Sequence, residues 1–280
     1  MYEQFFGLKE PAFSLTPDPR FLWLSETHHE GLAALYYGIT RRKGFLLLTG
    51  EIGTGKTTLL RAVLDRVPAD TETALILNTA GLTRIDLLKL IADEFRLRGA
   101  LDTKADYVIA LNAFLIMRHR AGLNTVLIID EAQNLGPETL EEVRLISNLE
   151  TQTDKLLQIV LTGQPELRRN LALPSLRQLR QRIAVQHHVQ PLRSEEISSY
   201  LRHRIGVAGG TYEEVFGSGV EPLIHAFTGG YPRAISILAD RCLISGYARQ
   251  QKPITPELLE EKGRELESLS NLDGLGPGGD

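Results

Sequence analysis

Gly50-Glu51-Ile52-Gly53-Thr54-Gly55-Lys56-Thr57-Thr58 gathers glycines, threonines and one lysine into a single short run. Its spacing is that of a loop that wraps phosphate. Glycines let successive main-chain N–H groups curl around an anion, and a helix starting at the lysine adds its partial positive charge. Lys56 would neutralise β- and γ-phosphate oxygens, and the Thr57 hydroxyl would ligate Mg²⁺. The alternative is a glycine turn beside a surface lysine. It is disfavoured because an apolar run, Phe45 to Thr49, precedes the loop and a helical stretch follows. Residues 50 to 58 are therefore expected to hold the phosphates of ATP.

Thr125-Val126-Leu127-Ile128-Ile129-Asp130-Glu131 is an apolar strand ending in two carboxylates. Such a pair at a strand tip is costly without a cation, and Mg²⁺ supplies one. Asp130 is expected to hold the metal's water shell, and Glu131 to polarise an attacking water. Leu161-Thr162-Gly163-Gln164 ends the next strand in polar groups, and Thr162 is the first choice for touching the γ-phosphate or the water. A plain strand terminus is the rival.

Arg177, Arg180 and Arg182 precede the last strand, where an arginine can reach a neighbouring subunit's γ-phosphate. A solvated basic face, or with Arg168 and Arg169 a phosphate-binding stripe for DNA, are the other readings. In Gly229-Gly230-Tyr231-Pro232-Arg233 the glycines end one helix and the proline opens the next, leaving Arg233 to point outward and to contact the γ-phosphate. His28-His29 and His187-His188 lack the spacing of a metal site.

The elements that must position these residues follow from periodicity. Phe45 to Thr49, Ala74 to Asn78, Val126 to Asp130, Leu157 to Thr162 and Ala184 to Val189 read as strands. Helical stretches at 56–67, 83–97, 104–120 and 136–150 fall between them, as in a parallel sheet covered on both faces. Residues 44–191 are thus the α/β core. Before it, residues 1–43 form an aromatic and proline-rich strap, expected to lay its phenylalanines on that core, and a helix from Thr27 to Thr40. After it, 192–270 read as a helical lid with Ser194 and Thr255 as helix caps, and 271–280 as a disordered tail.

Composition agrees with a globular chain of 280 residues, 42% hydrophobic, with a formal charge of −4. That charge gives no global attraction to nucleic acid or acidic lipid. No apolar run approaches the roughly 20 residues needed to cross a bilayer, and the start carries an acid where a leader needs bases. A cytoplasmic location is expected, with any membrane association peripheral, at the inner membrane and through a partner. Cys242 shares a helix side with Ile235 and Leu238 and reads as buried and inert.

Taken in order, these parts resemble the ExeA family, also called general secretion pathway protein A, a bacterial branch of the AAA+ ATPases. The resemblance rests on Tyr2 to Leu8, Pro11 to Arg20, His28 with Gly31-Leu32, Gly44-Phe45, the phosphate loop, Asp130 to Leu135, Leu161 to Leu167 and Gly229 to Arg233. It implies a P-loop NTPase core of five parallel strands with a small helical lid, hydrolysing ATP with Mg²⁺. It also implies Thr162 as sensor one, Arg233 as sensor two, Arg182 ahead of Arg180 as the arginine finger, and adenine near Pro17 and His28. Secretion members of the family continue into a membrane helix and a peptidoglycan-binding domain, whereas this sequence passes into glycine-rich residues, as in standalone relatives of similar length. The implied function is ATP-dependent self-assembly, as ring or filament, that drives or regulates a secretion, pilus or exopolysaccharide apparatus through a protein partner. The competing reading is an ATP-dependent DNA-binding regulator of the transposition type.

Overall fold

Strands that return in the same direction need a crossover of helix length, and this sequence supplies one between most of its apolar runs. The structure, a computed structural model, describes residues 1–16, 18–152 and 154–272. The chain opens with α1 (Tyr2–Phe5), α2 (Glu26–Thr40), β1 (Phe45–Gly50) and α3 (Lys56–Leu64). There follow β2 (Thr71–Ile76), α4 (Arg84–Glu94), α5 (Lys104–Arg120), β3 (Asn124–Ile129) and α6 (Pro137–Ile146). Next come β4 (Gln158–Gly163), α7 (Pro165–Leu171), α8 (Arg177–Arg182) and β5 (Ile183–Val189). The remainder is helical: α9 (Ile197–Val207), α10 (Tyr212–Val215), α11 (Glu221–Thr228), α12 (Pro232–Ala248) and α13 (Pro256–Leu272).

The five strands form one parallel sheet in the order β2-β3-β4-β1-β5. This is the expected parallel P-loop architecture. Because the strands are parallel, their C-terminal ends share one edge, and β4 lies between β3 and β1. Leu48 pairs with Thr162 and Thr49 with Gly163, so the strand that feeds the phosphate loop ends beside Thr162.

Contacts divide the chain into two compact units. The first comprises residues 26–51 and 59–189. Its core joins Leu47, Leu127, Ile129 and Leu161 of the sheet to Leu88, Leu111, Leu140 and Val143 of the helices. Helix α2 lies close on the other face through two glycines. A Cβ on Gly31 would stand 2.6 Å from the His187 ring, and one on Gly38 would stand 2.3 Å from Leu46. A side chain at either position would force His187, Leu59 or Leu46 to shift.

The second unit comprises residues 1–25, 52–58 and those from Gln190 onward. The strap departs from expectation here. Phe6, Phe13 and Phe21 are buried with Leu201, Val215, Phe216 and Leu238, in the helical cluster rather than on the α/β core. Arg204 locks the strap down: its Nε donates to Ala12 O at 2.7 Å and its guanidinium lies 5.2 Å from the Phe21 ring centroid. Aromatics in an irregular segment have no period, so the sequence could not say which apolar surface would receive them.

Smaller differences have local causes. Ser194 does not cap α9; it starts a 3-10 turn, over which the Arg193 N–H donates to Glu196 Oε2 at 2.8 Å. Helices α7 and α8 are too short, seven and six residues, to show a period. Of the tail, Asn271 and Leu272 close α13, and 273–280 lie outside the described residues. Cys242 is fully buried on the inner side of α12 with Ile235, Leu238 and Gly246. Burial pushes its thiol up to about 12.

Candidate active site

The phosphate loop leaves β1 at Gly50, which is the last residue of that strand. Gly53 and Gly55 adopt φ of +80° and +96°, a region that favours glycine, and the backbone reverses there before α3 begins at Lys56. Thr54 is fully buried, while Glu51 and Ile52 face solvent. Lys56 is only 6% exposed. Thr57 and Thr58 follow in the first turn of α3, half-buried. A helix opens with N–H groups that have no intrahelical acceptor, so curled loop, buried ammonium and helix start together fit a polyphosphate.

Within the same unit, Arg233 stands at the start of α12 against the loop. Its amide donates to Gly53 O at 3.3 Å, and a Cβ on Gly53 would lie 2.8 Å from Arg233 Cβ. The Arg233 side chain itself is exposed. Gly229 and Gly230, both at positive φ, end α11 and allow this approach.

In the sheet unit, Asp130 lies just past β3 and is 4% exposed. The Thr162 hydroxyl, from the end of neighbouring β4, donates to Asp130 Oδ1. The structure thus brings together two residues that are 32 positions apart in sequence. Glu131 holds a left-handed backbone conformation with φ +51°, which costs a non-glycine residue about 1–2 kcal/mol. Two bonds hold it there: its N–H donates to Asp130 Oδ1 at 2.9 Å, and its carbonyl accepts from Thr79 Oγ1 at 2.8 Å. The side chain is held as well, by Gln133 Nε2 at 2.5 Å and Gln164 Nε2 at 3.3 Å, both on Oε2. Thr79, Gln133 and Gln164 had no assigned role in the sequence reading. For Gln133 and Gln164 the available signal was a polar side chain in the two strand-end motifs; Thr79 follows β2, outside both.

Oxygen donors suit a hard divalent cation, so Asp130 and the Thr57 hydroxyl are chemically suitable for Mg²⁺. His28 is enclosed in the first turn of α2, 2% exposed. Pro17, expected near adenine, lies outside the described residues. The two finger candidates differ. Arg182 donates to Ser147 Oγ at 2.9 Å, on the end of α6, whereas Arg180 is exposed with one long bond to Ala172 O at 3.4 Å.

A parallel sheet of this order, with a phosphate loop after β1 and paired carboxylates after β3, defines a P-loop nucleotide-binding protein of the AAA+ type. Residues 39–171 match the family model described as an AAA domain. More particularly, the chain is related to general secretion pathway protein A of Aeromonas hydrophila. The two are 47% identical over 250 residues, which is 89% of this chain and 45% of that protein. The chain therefore spans less than half the length of this relative.

Solved structures of similar fold include the Aeropyrum pernix ORC2 protein, with TM-score 0.66 and 15% identity over 96% of this chain and 75% of that one. Drosophila ORC bound to DNA gives 0.68 and 16% over 98% and 67%. The Thermotoga maritima RuvB Holliday junction branch migration motor gives 0.56 and 17% over 90% and 72%. At these identities the likeness is one of fold. No helix among the described residues is long and apolar enough to cross a membrane.

Proposed function

We propose that this chain hydrolyses ATP with Mg²⁺ and uses the nucleotide state to control its own oligomerisation, in service of assembling a cell-envelope apparatus. The observation that carries the hydrolytic half is the Thr162 hydroxyl on Asp130 Oδ1. It holds a nearly buried carboxylate, 4% exposed, oriented at the C-terminal ends of the strands and next to Glu131.

In this reading the loop amides from Gly50 to Thr58 and the Lys56 ammonium bind the β- and γ-phosphates. Thr57 and Asp130 would hold Mg²⁺, which when bound neutralises charge on the phosphoryl oxygens. Glu131 orients the attacking water and takes its proton; Thr162 keeps Asp130 in position and reports on the γ-phosphate. Arg233 contacts the γ-phosphate from the lid helices, and Arg180 or Arg182 acts across a subunit interface. The envelope role rests on the relationship to general secretion pathway protein A, whose name records a secretion pathway.

Phosphate release by the purified chain tests the first half. Turnover in wild type, with loss in Lys56→Ala and Glu131→Gln, is expected. Sedimentation with and without ATP tests the second: growth in size on ATP, absent in Lys56→Ala, is expected, and a monomer at all nucleotide states would remove it.

One observation favours a DNA-binding reading as an alternative. Arg168, Arg169, Arg177 and Arg180 are all exposed on consecutive helices α7 and α8. Duplex binding that weakens steeply with salt, and weakens further when these arginines are neutralised, would support it. No binding at low salt with ATP present would exclude it.

A further inference from the structure

Glu131 is gripped through one oxygen only. Gln133, on the 3-10 turn Ala132–Asn134, donates from Nε2 to Glu131 Oε2 at 2.5 Å. Its own Oε1 accepts from the main-chain N–H of Gln164 at 3.1 Å. A main-chain N–H can only donate, so the Gln133 amide has one orientation and its NH₂ end must face the carboxylate. Gln164, at the N-cap of α7, adds Nε2 to the same oxygen at 3.3 Å. The other end of α7 closes the loop: Asn170 Nδ2 donates to the Gln133 carbonyl at 3.1 Å. Among the described residues, Glu131 Oε1 takes no hydrogen bond.

Gly163 makes room for this arrangement. A Cβ there would stand 2.5 Å from Gln133 Oε1 and 3.0 Å from a Leu167 methyl group. The glycine has an ordinary φ, so its residue type answers to the glutamine amide and α7 and not to backbone strain.

We propose that Gln133 and Gln164 are the positioning residues of the hydrolytic reaction: an amide clamp, braced by α7, that fixes Glu131 through Oε2 and leaves Oε1 to accept the water's proton. A carboxylate that rotates freely offers its accepting oxygen in the required direction only part of the time. Two donors on one oxygen remove that freedom before substrate arrives, and small misplacements of a reacting group cost up to about a hundredfold in rate. The hydrogen bonds of the clamp to this site fall on Glu131, so it should act on kcat and leave nucleotide binding alone. The proposal rests on the reading of Glu131 as the residue that activates water.

The test is steady-state ATP hydrolysis by the full chain, with ADP-magnesium affinity measured by calorimetry on the same preparations. Gln133→Leu is expected to lower kcat about ten- to hundredfold, and Gln164→Leu about three- to tenfold because its bond is longer, each with KM and ADP affinity within about twofold of wild type. In a Glu131→Gln background, neither substitution should lower residual turnover further, because residues that act through one group are not additive. Unchanged kcat in both single variants, or an equal further loss in the Glu131→Gln background, overturns the clamp while leaving the ATPase reading intact. Unaltered ADP affinity shows that the variants are folded. If either fails to fold, Gly163→Ala, which displaces the Gln133 amide from the outside, must give the same kcat-only loss, and normal turnover in it would also overturn the clamp. A wild-type chain that binds ADP and does not hydrolyse ATP removes the reading of Glu131, and the clamp with it.

Discussion

The main-chain amide of Arg233 donates to the carbonyl of Gly53 at 3.3 Å, and the space where Gly53 would carry a side chain is taken by Arg233 Cβ. A phosphate-loop glycine and the first turn of a helix 180 residues further along are thus packed backbone to backbone. The contact involves no charge. It holds whichever way the Arg233 guanidinium points.

Gly53→Ala should therefore do two things at once. It places a non-glycine residue at φ +80°, worth about 1–2 kcal/mol of strain, and it sets a methyl group 2.8 Å from Arg233 Cβ. Thermal unfolding should shift down by several degrees and nucleotide affinity should fall at least tenfold by calorimetry. Arg233→Ala keeps the backbone bond and should leave both nearly unchanged while lowering turnover. Equal damage from the two substitutions would contradict this separation.

Thr162→Val removes the hydroxyl from a nearly buried carboxylate and leaves Asp130 Oδ1 with fewer donors. Leaving a buried acceptor short of a partner costs about 1–3 kcal/mol. A fall in kcat of about tenfold to a hundredfold is expected. Thr162→Ser, which keeps the hydroxyl, should recover most of the activity, and a serine variant as poor as the valine one would argue against the bond's importance.

The two finger candidates separate by stability. Arg182→Ala breaks the bond to Ser147 and should cost about 1 kcal/mol in denaturant unfolding. Arg180→Ala is a surface change and should stay within about 0.5 kcal/mol. If Arg180 acts in trans, its alanine variant will show low turnover alone and partial recovery when mixed with Glu131→Gln protein, since one interface then has both parts.

In the helical unit, Gly230 has φ +77° and a Cβ there would stand 2.0 Å from Leu192 O. Backbone cannot move aside as a flexible side chain can, and the Leu192 amide already donates to Gly230 O at 2.8 Å. Gly230→Ala should cost about 3 kcal/mol or more, among the largest single-site losses in the molecule. Chemical denaturation with a normal midpoint would refute the packing described for this turn.

Cys242 gives a pH-dependent prediction. Its thiol moves from an ordinary value near 9 in the open chain to about 12 when folded. Only the unfolded form then ionises as pH rises from 9 toward 12, so stability is intact below 9 and declines across that window. Alkylation at pH 8 should be negligible until denaturant is added.

Much of this site was legible because its parts are local. The spacing from Gly50 to Thr58, the strand tip at Asp130-Glu131 and the Gly-Gly-Tyr-Pro-Arg turn each carry their conformational reason within a few residues, as the positive φ at Gly53, Gly55, Gly229 and Gly230 bears out. The alternation of apolar runs with helical stretches likewise determined a parallel sheet. Sequence gave no access to which residues at the ends of different strands would meet. The bond from Thr162 to Asp130 depends on β4 lying beside β3, and the grip of Gln133 and Gln164 on Glu131 depends on a seven-residue helix too short to have a period. The strap was misplaced for the same reason: burial of Phe6, Phe13 and Phe21 is favourable against any apolar surface, and only packing against α9 to α12 selected which one. Local stereochemistry is written in neighbouring residues, whereas strand order and surface complementarity are settled when distant segments compete for the same contacts.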